Sequence, residues 1–338
     1  MSEPVQTKIV VPGAHSMVSL LGQRDELLAV VEKALRADVH VRGNEITITG
    51  QRDDTDLAVR LFEELIDLLG KGEAISSETI DRALGMLAER TPERPAEVLS
   101  LNILSTRGRT IRPKTVNQKR YVEAIDKHTI VFGIGPAGTG KTYLAIAKAV
   151  QALQAKQVNR IILTRPAVEA GERLGFLPGT LFEKIDPYLR PLYDALHDML
   201  DPESIPRLMA AGTIEVAPLA YMRGRTISDA FIILDEAQNT TPEQMKMFLT
   251  RLGFNAKIVI TGDVTQVDLP SGTQSGLRVV RDILSGIDDV AFPQLTSADV
   301  VRHKLVAEIV DAYARFDAEN TAPRSARAES GAKRPRRG

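Results

Sequence analysis

Apolar and polar positions along this chain follow two different rhythms. In residues 1–90 the runs are short and mixed. Lys8–Val11 and Met17–Leu20 are brief apolar stretches. Gln23–Leu35 carries Leu27, Leu28, Val31 and Leu35 at helical spacing. Asp38–Arg42 and Glu45–Thr49 alternate as strands do, and Gly43-Asn44 between them suits a tight hairpin. Leu57–Leu69 sets Leu57, Leu61, Leu65 and Leu68 on one helical face and stops at Gly70-Lys71-Gly72. A third short helix is expected from Ser77 to Leu87. Residues 91–113 contain Pro92, Pro95, Gly108 and Pro113 without a sustained period. They read as a linker that carries Arg107, Arg109 and Arg112.

From residue 114 the rhythm changes. Thr129–Gly133, Phe231–Leu234 and Ala256–Ile260 are apolar at consecutive positions. Such runs suit strands covered on both faces, as in a parallel sheet flanked by helices. Tyr143–Ala155 and Tyr188–Leu200 supply helical patterns between them. The expected fold is α/β: a RecA-like P-loop domain over 114–316, behind a small α+β domain over 1–90 and before a tail over 317–338. Gly175, Pro178, Gly179 and Pro187 mark an inserted loop over the strand ends, near where a nucleotide would lie. Arg165, Arg173 and Arg190 there are either contacts to a nucleic-acid backbone or solvated charges.

Composition narrows the chemistry. The 338 residues suit two domains at about 150 residues each. With no cysteine, disulfides, thiolate metal sites and cysteine nucleophiles are excluded. His15, His40, His128, His197 and His303 are scattered, which argues against a histidine metal site. No apolar run reaches the roughly 18 residues of a membrane span, and the first residues show no secretory pattern. The expectation is a cytoplasmic protein with no membrane contact. Net charge is −1, yet residues 321–338 hold Arg324, Arg327, Lys333, Arg334, Arg336 and Arg337 against Glu329 alone. A basic stretch without apolar anchors is expected to be disordered, either as a solubilising extension or as an arm for phosphates.

The sharpest chemical signal is Gly135-Pro136-Ala137-Gly138-Thr139-Gly140-Lys141-Thr142, between a strand and a helix. Glycines let successive N–H groups turn inward onto phosphate oxygens, and the helix N-terminus adds positive potential. In this motif Lys141 reaches the β- and γ-phosphates and Thr142 places a hydroxyl on Mg2+. Asp235, at the end of Phe231–Leu234, is the expected second magnesium residue, and Glu236 the base for an attacking water. Asp263 and Gln266 follow the third strand and are placed to sense the γ-phosphate.

Two resemblances extend this reading. The element order of residues 1–90 resembles a KH-type nucleic-acid-binding domain, whose mark is a GxxG loop. Gly22-Gln23-Arg24-Asp25 stands in that place without the second glycine. RNA binding and a docking or oligomerisation role both remain open for it. The set Gly135–Thr142, Asp235-Glu236-Ala237-Gln238 and Gly262-Asp263-x-x-Gln266 resembles motifs I to III of superfamily-one helicases. Gln118 is similar to their adenine-reading glutamine, and a carboxamide can bond two edges of adenine.

Thr164–Glu172, Tyr221–Thr226, Leu234–Asn239, Thr261–Pro270 and Val300–His303 resemble signatures of the PhoH-like protein family. The resemblance implies an ATP-binding protein of RNA metabolism, with ATP and Mg2+ as cofactors and a helicase-type or remodelling ATPase activity. The alternative it implies is an ATP-switched module that docks a single-strand endoribonuclease in ribosomal RNA maturation without unwinding. With one ATPase domain only, the arginine such sites use must come from the same domain or from a neighbouring subunit, with Arg225 and Arg302 as candidates. That arrangement points to a homo-oligomer, a hexameric ring being one form.

Overall fold

A computed structural model describes residues 4–13, 16–89, 91–106, 108–166, 181–301 and 312, with the main chain alone for 181–187. Residues Met1–Val300 pack as one unit, and Val301–Gly338 are a second.

The first core is built on strands β1 (Val5–Val10), β2 (Asp38–Arg42) and β3 (Glu45–Gly50). They form an antiparallel sheet in the order β1-β3-β2. Ile46 and Ile48 of the central strand are fully buried, as the hairpin's alternation requires. They share a core with Leu61, Phe62, Leu65 and Leu68 of α3 (Arg52–Gly70) and Ile80 of α4 (Ser77–Glu89). The α3 helix starts five residues before the apolar stripe, with Asp53 and Asp54 at its positive N-terminal end.

The helix expected over Gln23–Leu35 begins only at Glu26, and a separate helix precedes it. Met17–Leu21 forms α1 and Glu26–Ala34 forms α2. Between them the chain turns through positive φ at Gly22 (82°), Arg24 (57°) and Asp25 (61°). The four residues singled out as a GxxG-like loop therefore lie between two helices.

The stretch 91–113, expected as a linker, holds α5 (Pro95–Leu99) and a hairpin of β4 (Leu104–Thr106) and β5 (Arg109–Ile111). Pro95, Ala96, Val98 and Leu99 are buried. Glu64 of α3 anchors them, accepting from the Ala96 N–H at 2.8 Å and from Arg94 Nε at 2.9 Å.

The second sheet is six-stranded and parallel. Its strands are β6 (Ile130–Ile134), β7 (Arg160–Arg165), β8 (Ile214–Pro218), β9 (Ala230–Leu234), β10 (Lys257–Gly262) and β11 (Val290–Ala291), in the order β11-β6-β10-β9-β7-β8. Neighbouring residues of each strand enter opposite cores. Val131, Ile161, Phe231 and Val259 pack on one face with α6 (Val116–Lys127), α7 (Lys141–Gln154) and α8 (Leu181–Met199). Phe132, Ile162, Ile232 and Ile258 pack on the other with α10 (Pro242–Leu249) and α11 (Gly276–Leu284). The short helix α9 (Ile205–Ala210) precedes β8. Two buried faces explain why these strands are apolar without alternation. At about 1.5–3 kcal/mol per fully buried large aliphatic or aromatic side chain, they hold much of the molecule's hydrophobic stabilisation. No described helix is long and apolar enough to cross a membrane.

Candidate nucleotide site

Strand β6 ends at Ile134 and α7 begins at Lys141, so the glycine-rich loop lies between a strand end and a helix N-terminus. Gly138 and Gly140 take φ of 79° and 77°, the left-handed region where a side chain would be strained. The loop is tied down at both ends. The Gly135 N–H donates to the Gly262 carbonyl at 3.2 Å, and Tyr121 Oη donates to the Lys141 carbonyl at 3.2 Å. Lys141 Nζ donates to the Gly135 and Pro136 carbonyls, each at 2.7 Å. Burial pulls its basicity down, while Asp263, Glu236 and Asp235 oppose that effect.

Strand β9, two places from β6 in the sheet, delivers the acids. Asp235 Oδ1 accepts from Thr142 Oγ1 at 2.6 Å and from Thr261 Oγ1 at 2.8 Å. Burial raises the Asp235 carboxyl above the ordinary range and Glu236 adds to this, against Arg165 and the two hydroxyls. Glu236 turns through φ 52°. One of its oxygens accepts from Arg165 Nη2 at 2.7 Å, the other from Gln238 Nε2 at 2.5 Å.

Arg165 reaches this place by strand register. β7 pairs with β9, with Thr164 beside Leu234, and the Asp235 N–H donates to the Thr164 carbonyl at 2.9 Å. Arg165 Nε lies 3.7 Å from Asp235 Oδ2, and Nη1 donates to the Tyr188 carbonyl of α8 at 2.6 Å. The structure thus corrects the sequence reading of Arg165. It is a partner of both acids, with a side chain 18% exposed, and neither a surface charge nor a free contact to nucleic acid.

Asp263 and Gln266 arrive on β10 and the loop after it, as expected. Asp263 Oδ1 accepts from the N–H and hydroxyl of Thr265, closing a turn that presents Gln266. Gln238 was singled out in the sequence only as part of a motif. Here its Oε1 accepts from the Asp263 N–H at 3.0 Å, so it joins the Glu236 strand end to the Asp263 strand end. A cavity of about 250 Å³ is bounded by Gly138, Lys141, Thr142, Asp235, Glu236, Asp263 and Gln266, with Tyr143 at its side. A larger depression of about 840 Å³ lies by Val18, Gly22 and Leu69, but its lining carries Glu26 and Glu73 and no cation. The glycine-rich loop and both acids line the smaller one.

Two expectations change. Gln118 is 2% exposed, its Oε1 accepts from the Lys114 N–H at 2.7 Å and its Nε2 donates to the Thr139 carbonyl at 3.0 Å. Both ends serve main chain, so the geometry makes it a strut beneath the loop. The amide keeps one further N–H and one further lone pair, so this support of the loop and a contact to adenine are compatible. Arg225 forms a two-bond ion pair with Glu215 near the start of β8, at 2.6 and 2.8 Å. That is the end of the parallel sheet away from the glycine-rich loop, so Arg225 does not complete the site in its own chain. Arg302, Arg173 and the tail 317–338 lie outside the described residues.

A family model described as PhoH-like protein matches residues 110–314. A PhoH-like protein of Mycobacterium tuberculosis (strain ATCC 25618 / H37Rv) is 66% identical over 330 residues, covering 97% of this chain and 94% of the relative. One from Bacillus subtilis (strain 168) is 54% identical over 297 residues, 88% of this chain and 93% of the relative. Among solved structures, the SWI2/SNF2 ATPase core of Sulfolobus solfataricus in complex with dsDNA aligns over 53% of this chain and 42% of its own, at 15% identity and a TM-score of 0.32. That likeness is too slight to carry an argument.

Proposed function

The chain belongs to the PhoH-like protein family, and from that premise we propose that it is a magnesium-dependent ATPase whose turnover is coupled to RNA. Family and fold are those of a nucleotide-binding P-loop ATPase. The observation that carries the reading is the closure of Thr142 Oγ1 on Asp235 Oδ1 at 2.6 Å, beside a lysine held inside the glycine-rich loop.

Those two oxygens fit a magnesium ion, which takes few hard protein ligands and keeps waters and phosphate oxygens for the rest. When bound, the metal would offset charge on the β- and γ-phosphates. The protein's own groups do the remainder. Lys141 and the loop N–H groups hold the phosphates. Glu236 takes a proton from the attacking water as that oxygen bonds to the γ-phosphorus. The bond from the γ-phosphorus to the β–γ bridging oxygen breaks, and ADP leaves with its electron pair. Asp263 and Gln266 face the γ-phosphate from β10. The same reading takes the protein to be cytoplasmic and to work as a homo-oligomer.

A second reading is an ATP-switched module that docks an endoribonuclease and turns over slowly. One observation favours it. Residues 1–90 hold 16 acidic side chains against 10 basic ones, and the depression beside Gly22 has no cation. An RNA backbone draws its affinity from cations, so this segment suits a protein partner better than a phosphate chain. ATP turnover with and without single-stranded RNA separates the two. The RNA-coupled ATPase predicts stimulation that Glu236→Gln abolishes while ATP binding is kept. A slow rate that RNA leaves unchanged would favour the docking module.

A further inference from the structure

Both oxygens of Glu236 carry a donor: one holds the Arg165 guanidinium and the other the Gln238 carboxamide. A water can bond a second lone pair of either oxygen, but the proton it gives up neutralises the carboxylate, and the Arg165 ion pair is lost with that charge. Arg165 is the more exchangeable of the two. Gln238 is 1% exposed and also holds the Asp263 N–H, so moving it disturbs two strand ends. Arg165 holds one close carboxylate, one at 3.7 Å and one carbonyl at the edge of α8. A guanidinium presents a planar fork whose best match is a phosphate or carboxylate taken through two bonds. Trading a carboxylate for a phosphate swaps one charge-assisted pair for another, so neither state is strongly preferred.

We infer that Arg165 completes the ATPase site within its own chain, releasing Glu236 as it takes a phosphate oxygen. This rests on the reading of Glu236 as the base. The phosphate has two possible sources, the γ-phosphate of the nucleotide and the backbone of an RNA strand, and the γ-phosphate is the expected one. Arg165 sits one hydrogen bond from a residue that borders the phosphate cavity. An arginine supplied from the same domain removes the need for one from a neighbouring subunit.

The test uses the full chain, with steady-state ATP turnover measured with and without a short single-stranded RNA. Wild type is compared with Arg165→Gln, Arg165→Lys and Glu236→Gln, each checked for a wild-type circular dichroism spectrum and melt. Arginines at such sites are worth about 10³–10⁵ in rate in GTPases, and Arg165→Gln is expected to lose at least ~10²-fold in kcat. Arg165→Lys keeps a charge between the acids but does not restore the rate. If the fold-stimulation by RNA survives in Arg165→Gln, the phosphate is the nucleotide's. If instead the RNA-free rate rises and stimulation vanishes, Arg165 restrains Glu236 until RNA takes it and does not complete the site, which overturns the inference. Arg165→Gln within about twofold of wild type in kcat, KM and RNA response overturns the inference, as does full recovery of rate in Arg165→Lys. Wild-type turnover by Glu236→Gln would refute the base assignment itself, a result separate from any change at Arg165.

Discussion

Gln118 shows how one side chain can carry two readings. Its residue type and its place before the loop suggest adenine recognition, while its bonds to Lys114 and Thr139 make it a support for the loop. The readings predict different losses. As a strut, Gln118→Ala loosens the loop for every nucleotide, so ATP and GTP affinities fall by the same factor. Removing the side chain leaves the half-buried Lys114 N–H and the buried Thr139 carbonyl short of partners, at about 1–3 kcal/mol for the buried group, so the melting temperature also falls. Isothermal titration with both nucleotides decides. A loss confined to ATP would restore the adenine-reading role. The contrast with Lys141 and Asp235 is instructive. Their roles follow from contiguous residues whose geometry is local, so the sequence exposes them. Arg165 meets Glu236 only because β7 pairs with β9 in one register, and no local pattern records that pairing.

The α6 helix joins the parts of the molecule. Its cap, Thr115, accepts from the Gln118 N–H and donates to Asp299 at 2.6 Å. Asp299 also accepts from Asn117 at 3.0 Å and from the N–H and hydroxyl of Thr296. Val116 belongs to the N-terminal core, and Tyr121 reaches the glycine-rich loop. Asp299 is 2% exposed, so Asp299→Ala strands four donors at once. The expected cost is about 2–4 kcal/mol, read from urea unfolding, against a near-neutral exposed control such as Asp282→Ala. A cost inside the control's range would show that the network contributes little. The element scale is also where sequence reading was weakest. Three strands of the large sheet, β6, β9 and β10, announce themselves because both faces are buried, while β7, β8 and the two-residue β11 have no counterpart in the sequence reading. The elements in 91–113 are three to five residues long, and α5 hangs on one buried carboxylate, Glu64, far away in sequence. In Gln23–Leu35 the apolar stripe from Leu27 onward matches α2, but the positive φ of Arg24 and Asp25 holds the helix start back to Glu26, which hydrophobic spacing does not register.

At the scale of the whole molecule, the N-terminal core and the ATPase sheet meet across a seam of ion pairs. Lys114 meets Glu78 at 2.6 Å, Arg120 meets Glu93 at 2.7 Å, and Arg112 meets Glu73. The Lys114 hydrogen bond holds the Glu78 carboxyl below its ordinary value, and the Arg120 hydrogen bond does the same for Glu93. Carboxyls with depressed folded values contribute stability above their unfolded value, near 4.3 for glutamate. That contribution is lost as pH falls through the lower folded value. The melting temperature should therefore drop below about pH 4.5, and the drop should be shallower in a Lys114→Met, Arg120→Met double variant. An identical slope in the two proteins would show that the seam does not depend on these pairs. Exposed pairs are individually weak, so the difference should be small and should shrink in high salt.

The central claim is that the loop Gly135–Thr142 and Asp235 form an ATP-hydrolysing centre. Phosphate release from ATP by the purified chain, with magnesium and with chelator, measured beside Lys141→Ala of matched circular dichroism and melting temperature, tests it most directly. The account predicts magnesium-dependent release by the wild type and none above background by Lys141→Ala. Equal release by the two folded proteins would contradict it.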